Sequence, residues 1–149
     1  MNRKERNLLA ENLRHYISGT ITNFEFIDRI KILSKSNDRA IIAIEKEFWF
    51  AYSDLKEHRN VGKKKLCIET ENHIKRFILF LKSDNEYEWK NSKYSNSIKW
   101  IIDLISFEKY LKKSNNEENQ IIEKGDKNVW PFFRESELKK EIDNPKYLN

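Results

Sequence analysis

Cys67 is the only thiol in the chain, and His15, His58 and His73 are the only imidazoles. Nucleophilic catalysis needs such a nucleophile held beside a base. Cys67 and His73 lie six positions apart, which on a helix puts them on different faces, so they form no local dyad. Cys67 therefore reads as a buried structural thiol. Asp54/His58 and Glu69/His73 have i,i+4 spacing, so each pair shares a helix face and the two pairs together could supply four metal ligands. Neither the His-Glu-x-x-His pattern nor the Glu-x-x-His of di-iron bundles is present, and both pairs read as helix-surface neighbours. Gly19, Gly62 and Gly125 stand alone, so no glycine-rich phosphate cradle exists. The reading is no metal, no cofactor and no catalytic motif.

Two segments carry the chemistry of binding instead. Ser83–Trp89 puts Asp84, Glu86 and Glu88 beside Tyr87 and Trp89 in an otherwise basic chain. Tyr and Trp anchor interfaces, and local acidity steers a basic partner. The competing reading is that Ser83 and Glu86 form a capping box and Trp89 closes the core. The second segment, His58–Lys65, offers Arg59, Lys63, Lys64 and Lys65 to phosphates, which would give steep salt dependence. Its competing reading is a solvated loop.

Composition narrows the field. A 149-residue chain fits one domain. Charged residues reach 36%, yet aromatics reach 13%, enough to build a core beneath a polar surface. The net charge of +5 comes mostly from lysine, in a chain rich in Lys, Asn and Ile as an AT-rich genome would encode. Base readers favour Arg for its planar fork. A single cysteine suits a reducing cytoplasm. The charged start, Met1–Arg6, leads into no apolar run of signal-peptide type. Phe77–Leu81, the most apolar run, is too short to span a bilayer.

The elements that must position these residues are helices. Pro131 and Pro145 are the only prolines, which leaves Met1–Trp130 free of the strongest helix breaker. Leu9, Leu13, Tyr16 and Ile17 predict a first helix over about Arg3–Ser18, with Gly19 as its left-handed cap. Thr22 and Glu25 have capping-box spacing before a second helix carrying Phe26, Ile27, Ile30 and Leu33. Ser36–Asp38 offers the next cap. The third helix runs to about Tyr52, or on to His58, with Ile41, Ile44, Phe48, Tyr52 and Leu55 in a stripe that Ile42 and Trp49 widen. A fourth over about Leu66–Leu81 turns Ile74, Phe77, Ile78 and Leu81 inward and is expected to be the most buried; a strand over Phe77–Leu81 is the alternative. A fifth is expected over Ser97–Lys112, then a mobile connection over residues 114–128. Val129–Phe133 reads as an apolar clasp, and a short helix follows over Glu135–Ile142. The whole predicts an all-α domain over residues 1–149, a compact bundle of about five to six helices with an apolar C-terminal clasp.

Four stretches together, Ser18-Gly19…Asn23-x-x-Phe26, Tyr52-Ser53-Asp54-Leu55, Arg76–Trp89 and Trp130-Pro131-Phe132, resemble a group of small, uncharacterised bacterial proteins. Where that pattern has a proline after Trp89, this chain has Lys90. Small helical proteins of this kind resemble immunity proteins that neutralise a cognate toxin, which implies a cytoplasmic protein with a protein partner. The leading expectation is a non-catalytic, immunity- or antitoxin-like binder using Asp84, Glu86, Tyr87, Glu88 and Trp89. The alternatives are nucleic-acid binding through Arg59, Lys63, Lys64 and Lys65, and an enzyme whose site is dispersed through the chain.

Overall fold

The computed structural model describes residues 1–52, 55–89 and 125–146. Within them lie five α-helices and no strand: α1 (Arg3–Ile17), α2 (Asn23–Ile30), α3 (Arg39–Ala51), α4 (Ile68–Lys82) and α5 (Glu135–Asp143). The architecture is all-α, as the periodicity predicts. The expected helix over Ser97–Lys112 and most of the expected connection over residues 114–128 lie outside the described residues. In the last part of that stretch, Asp126 Oδ1 accepts from the Asn128 amide (2.9 Å) to open a 3-10 turn over Lys127–Val129.

Local chemistry sets the boundaries. Asn2 caps α1, accepting from the Glu5 amide. At the other end Gly19 takes φ 69°. Its amide donates to the Tyr16 carbonyl (3.1 Å) and the Thr20 amide to that of His15 (2.9 Å), a Schellman closure. The capping box forms: Glu25 N donates to Thr22 Oγ1 (3.1 Å), and Thr22 N donates to Glu25 Oε2 (2.8 Å). α2 tightens into a 3-10 turn, Lys31–Lys35, which still turns Leu33 inward. Asp38 caps α3 by accepting from the Ala40 amide (3.0 Å).

One buried cluster runs from Leu9 to Phe132. Its first half joins α1, α2 and α3 through the rings of Tyr16, Phe26 and Phe48, with centroids 4.7–5.3 Å apart. Its second half is built on α4, whose Ile74, Phe77, Ile78, Phe80 and Leu81 are all buried; the strand alternative is set aside. α3 has the shorter of its two expected lengths, and its stripe is narrower than expected. It ends at Ala51, so Leu55 falls beyond the stripe and is 89% exposed, and Ile42 and Trp49 face outward. Cys67 is exposed, not buried, because it sits at the N-cap of α4 where the chain arrives from a surface turn.

The clasp folds back onto the chain. Val129, Trp130 and Phe132 are buried, and Phe132 meets Phe80 edge-on at 5.1 Å. Removing a buried ring of this size costs ~3–5 kcal/mol, so the segment is fixed as part of the core. Gly125 makes room for it: a Cβ there would sit 2.7 Å from the Phe133 ring and 2.8 Å from that of Trp89. Glu137 then accepts from the Phe133 and Arg134 amides (3.1 and 3.3 Å), which starts α5.

Candidate functional site

Ser83 stops α4. Its amide donates to the Leu79 carbonyl (3.0 Å) and its hydroxyl to that of Phe80 (2.8 Å), while the same hydroxyl accepts from Asn85 N (3.2 Å). The expected Ser83–Glu86 capping box is replaced by this C-terminal stop. From here the chain runs without helix to Trp89, and exposure alternates with a period of two. Asp84, Glu86 and Glu88 face outward; Asn85, Tyr87 and Trp89 turn in.

Arginines from α1 and from the start of α3 hold the backbone of this segment. Arg3 donates to the carbonyls of Leu81 (2.8 Å) and Ser83 (2.6 Å), Arg6 to that of Asn85 (2.8 Å), and Arg39 to that of Trp89. The inward rings are occupied. Trp89 Nε1 donates to the carbonyls of Pro131 and Phe132, each at 3.2 Å, and Trp130 Nε1 donates to the Tyr87 hydroxyl (3.2 Å). Burial pushes the Tyr87 phenol above its ordinary range. The two aromatics thus hold the clasp, and what the segment shows outward is its carboxylates.

Each carboxylate meets a cation of the same chain. Asp84 pairs with Lys146 and with Arg3 (2.9 Å), and the Lys146 hydrogen bond holds its carboxyl below the usual range, Arg3 adding to it. Glu86 lies 3.8 Å from the Met1 amino group, and Glu88 is 3.2 Å from Arg134. Exposed pairs of this kind contribute little to stability, because water and salt screen them. A partner presenting well-placed cations can therefore exchange with them.

A second feature is a cleft of about 320 Å³ between α3 and α4. Phe48 and Phe77 floor it; Glu47, Thr70, His73 and Arg76 line its walls. His73 lies nearly parallel to Trp130 (18°, 6.3 Å) and edge-on to Phe77 (4.8 Å), with Nδ1 3.4 Å from the Arg76 guanidinium. Burial, with the Arg76 charge added, pushes the imidazole down to about 4, so it is neutral at pH 7. Arg76 donates to the Asn128 carbonyl and so ties α4 to the clasp. An imidazole, a carboxylate and a guanidinium over aromatic walls could orient a small polar molecule. Cys67 stays outside this cleft, with Sγ 3.0 Å from Thr70 Oγ1. Of the two i,i+4 pairs, Glu69 and His73 both line the cleft. Asp54 lies outside the described residues. His58 turns back on its own segment: its ring Nδ1 lies 2.9 Å from the Lys56 carbonyl, and its amide donates to Asn23 Oδ1 (2.8 Å). Among the described residues no group of three His, Cys, Asp or Glu is placed to hold a metal ion.

The basic segment divides. Arg59 turns back to donate to the carbonyls of Gly19 (3.3 Å) and Thr20, closing the end of α1. Its neighbour Asn60 is buried and donates to the Tyr16 carbonyl (2.9 Å). Lys65 approaches Glu71 at 4.0 Å. Lys63 and Lys64 stand exposed on the turn Gly62–Lys64, in no ion pair among the described residues. Sequence reasoning missed Arg3, Arg6 and Arg39 as the groups that position Asp84–Trp89. For Arg6 a signal existed: it lies in helical register with Leu9 and Leu13, on the apolar face.

No protein-family model matches the chain. No curated protein and no solved structure shows significant similarity to it. Among the described residues no helix is long and apolar enough to cross a membrane.

Proposed function

We propose that the chain is a non-catalytic protein-binding protein of immunity- or antitoxin-like kind, docking a basic protein surface on the edge formed by Asp84, Glu86 and Glu88. The observation that supports this reading is the alternation along Asp84–Trp89. Tyr87 and Trp89 are spent on the clasp and fix the backbone, which leaves the carboxylates side by side on the outer edge. Such an edge steers association with a positive partner and loses strength as salt rises. Tyr87 and Trp89 act in this reading as the supports of the edge and no longer as its contacts.

The test is affinity purification of the chain from the organism that encodes it, beside the triple variant Asp84→Lys/Glu86→Lys/Glu88→Lys. A stoichiometric protein partner is expected with the wild-type chain. Capture should fall about tenfold or more in the variant, with helicity unchanged and a cooperative melt retained. Absence of a stoichiometric partner, or equal capture by the variant, overturns the reading.

Lys63 and Lys64 support a second reading, contact with nucleic-acid phosphates on the opposite charge principle. Filter binding at low and high salt decides it: no retention at low salt removes it.

A further inference from the structure

We infer that His73 is the latch of the C-terminal clasp: held neutral between Trp130 and Phe77, it keeps residues 125–133 closed on α4, and taking up a proton releases them. The geometry makes the two states incompatible. In the closed form the imidazole lies nearly parallel to the Trp130 indole, edge-on to Phe77, with a guanidinium 3.4 Å from Nδ1. A second positive charge there would sit against Arg76 in a half-buried place. Arg76 cannot swing away freely, because it donates to Asn128 of the clasp itself. The groups that would trip the latch are therefore also the ones that hold it.

Other charges face the same place. Glu69 lines the cleft from α4 and Glu47 from α3. Asp126, at the start of the clasp, attracts Arg76. Tyr87 touches Trp130 through its hydroxyl and carries Arg39 over its ring. The carboxylates would favour a charged imidazole, and so would the faces of the rings. Burial and Arg76 outweigh them, which is why the His73 imidazole is pushed down to about 4.

Once the clasp opens, His73 meets water and returns to an ordinary value near 6.5. Opening is then coupled to one proton. It should rise about tenfold per pH unit between 6.5 and about 4, roughly 300-fold in all. Below that range both forms are protonated and the gain stops.

Native-state amide hydrogen exchange on the full chain, corrected for the intrinsic pH dependence of exchange, reads this directly. In the wild type, clasp amides such as those of Val129 and Phe132 should show that rise, and at every pH they should open at a lower free energy than α1 amides such as those of Leu13 and Tyr16, which open only with the whole chain. In His73→Phe, which keeps an aromatic ring and cannot titrate, clasp opening should be level across the same range. His73→Gln serves as a second non-titrating variant should the larger ring disturb the packing. Equal pH dependence in the wild type and a folded non-titrating variant overturns the latch. So does one opening free energy shared by the clasp and α1 amides, which would show the whole chain unfolding together.

Discussion

Among the described residues, Arg6 and Asp38 make the most deeply buried ion pair. Their side chains are 1% and 2% exposed, and the guanidinium meets the carboxylate at 2.9 and 3.1 Å. Burying two such charges costs several kcal/mol apiece unless every polar atom is satisfied. Here Asp38 also accepts from the amides of Asn2 (2.7 Å) and Ala40 (3.0 Å), and Arg6 reaches Asn85 and lies 5.5 Å over the Phe80 ring. Burial alone would raise the Asp38 carboxyl; the hydrogen bonds from Arg6 and from these amides overcome it and hold the group below its ordinary value. Asp38→Asn leaves a buried guanidinium without its counter-charge and should destabilise the fold by ~3–5 kcal/mol in urea denaturation. A loss under about 1 kcal/mol would show that the pair is dispensable. Neither partnership was visible in the sequence beyond Asp38 as a helix cap. Which arginine finds which carboxylate across 32 positions depends on how α1 and α3 cross, and no local pattern encodes that.

Between elements, the turn after α1 packs closely against the chain that follows α3. Gly19 has a φ open only to glycine at low cost, and an added Cβ would lie 2.6 Å from Val61 Cγ1. Arg59 and Asn60 bond to carbonyls of the same turn, so the turn is locked to the chain that follows α3. Gly19→Ala should therefore cost more than the ~1 kcal/mol of an ordinary left-handed site, because Val61 must also move. Thermal melts of Gly19→Ala alone and with Val61→Ala separate the two parts: relief by the second change confirms the clash. The helix starts and stops were legible because caps are local chemistry: Gly19, Thr22–Glu25 and Asp38 act where the sequence places them. Leu55, Ile42 and Trp49 were misread because periodicity marks a face without saying where the helix ends or how wide its contact is. The aromatics of Asp84–Trp89 were legible as important, but their direction was not. Tyr87 and Trp89 turn inward to meet Trp130 and Pro131, more than 40 positions away.

For the whole molecule, these groups predict an acid profile in two parts. His73 is depressed in the fold, so its contribution is complete above about 6.5 and is lost as pH falls toward about 4. That part should slope by about 1.4 kcal/mol per pH unit and vanish in His73→Phe. Asp38 and Glu11 are also depressed, so their contribution persists until pH falls below the ordinary carboxylate range. Glu45, whose carboxyl burial pushes up, works against this trend. Urea midpoints of the wild type and His73→Phe from pH 7 to 3 test the profile. A flat wild-type line between pH 6.5 and 4.5 would contradict it.

The clasp also sets a timetable for synthesis. The α4 rings that Trp130 and Phe132 cover are complete at Phe80, yet Phe132 is added 52 residues later. At ~5–20 residues per second the ribosome needs roughly 3–10 s to supply that cover. Over this interval a nascent chain can dock α1, α2 and α3 through their own rings, but Phe77 and Phe80 lack the cover that Trp130 and Phe132 bring. Translation stalled between those points should leave a species that chaperones hold, and that sheds them once Trp130 and Phe132 have left the ribosome and can dock.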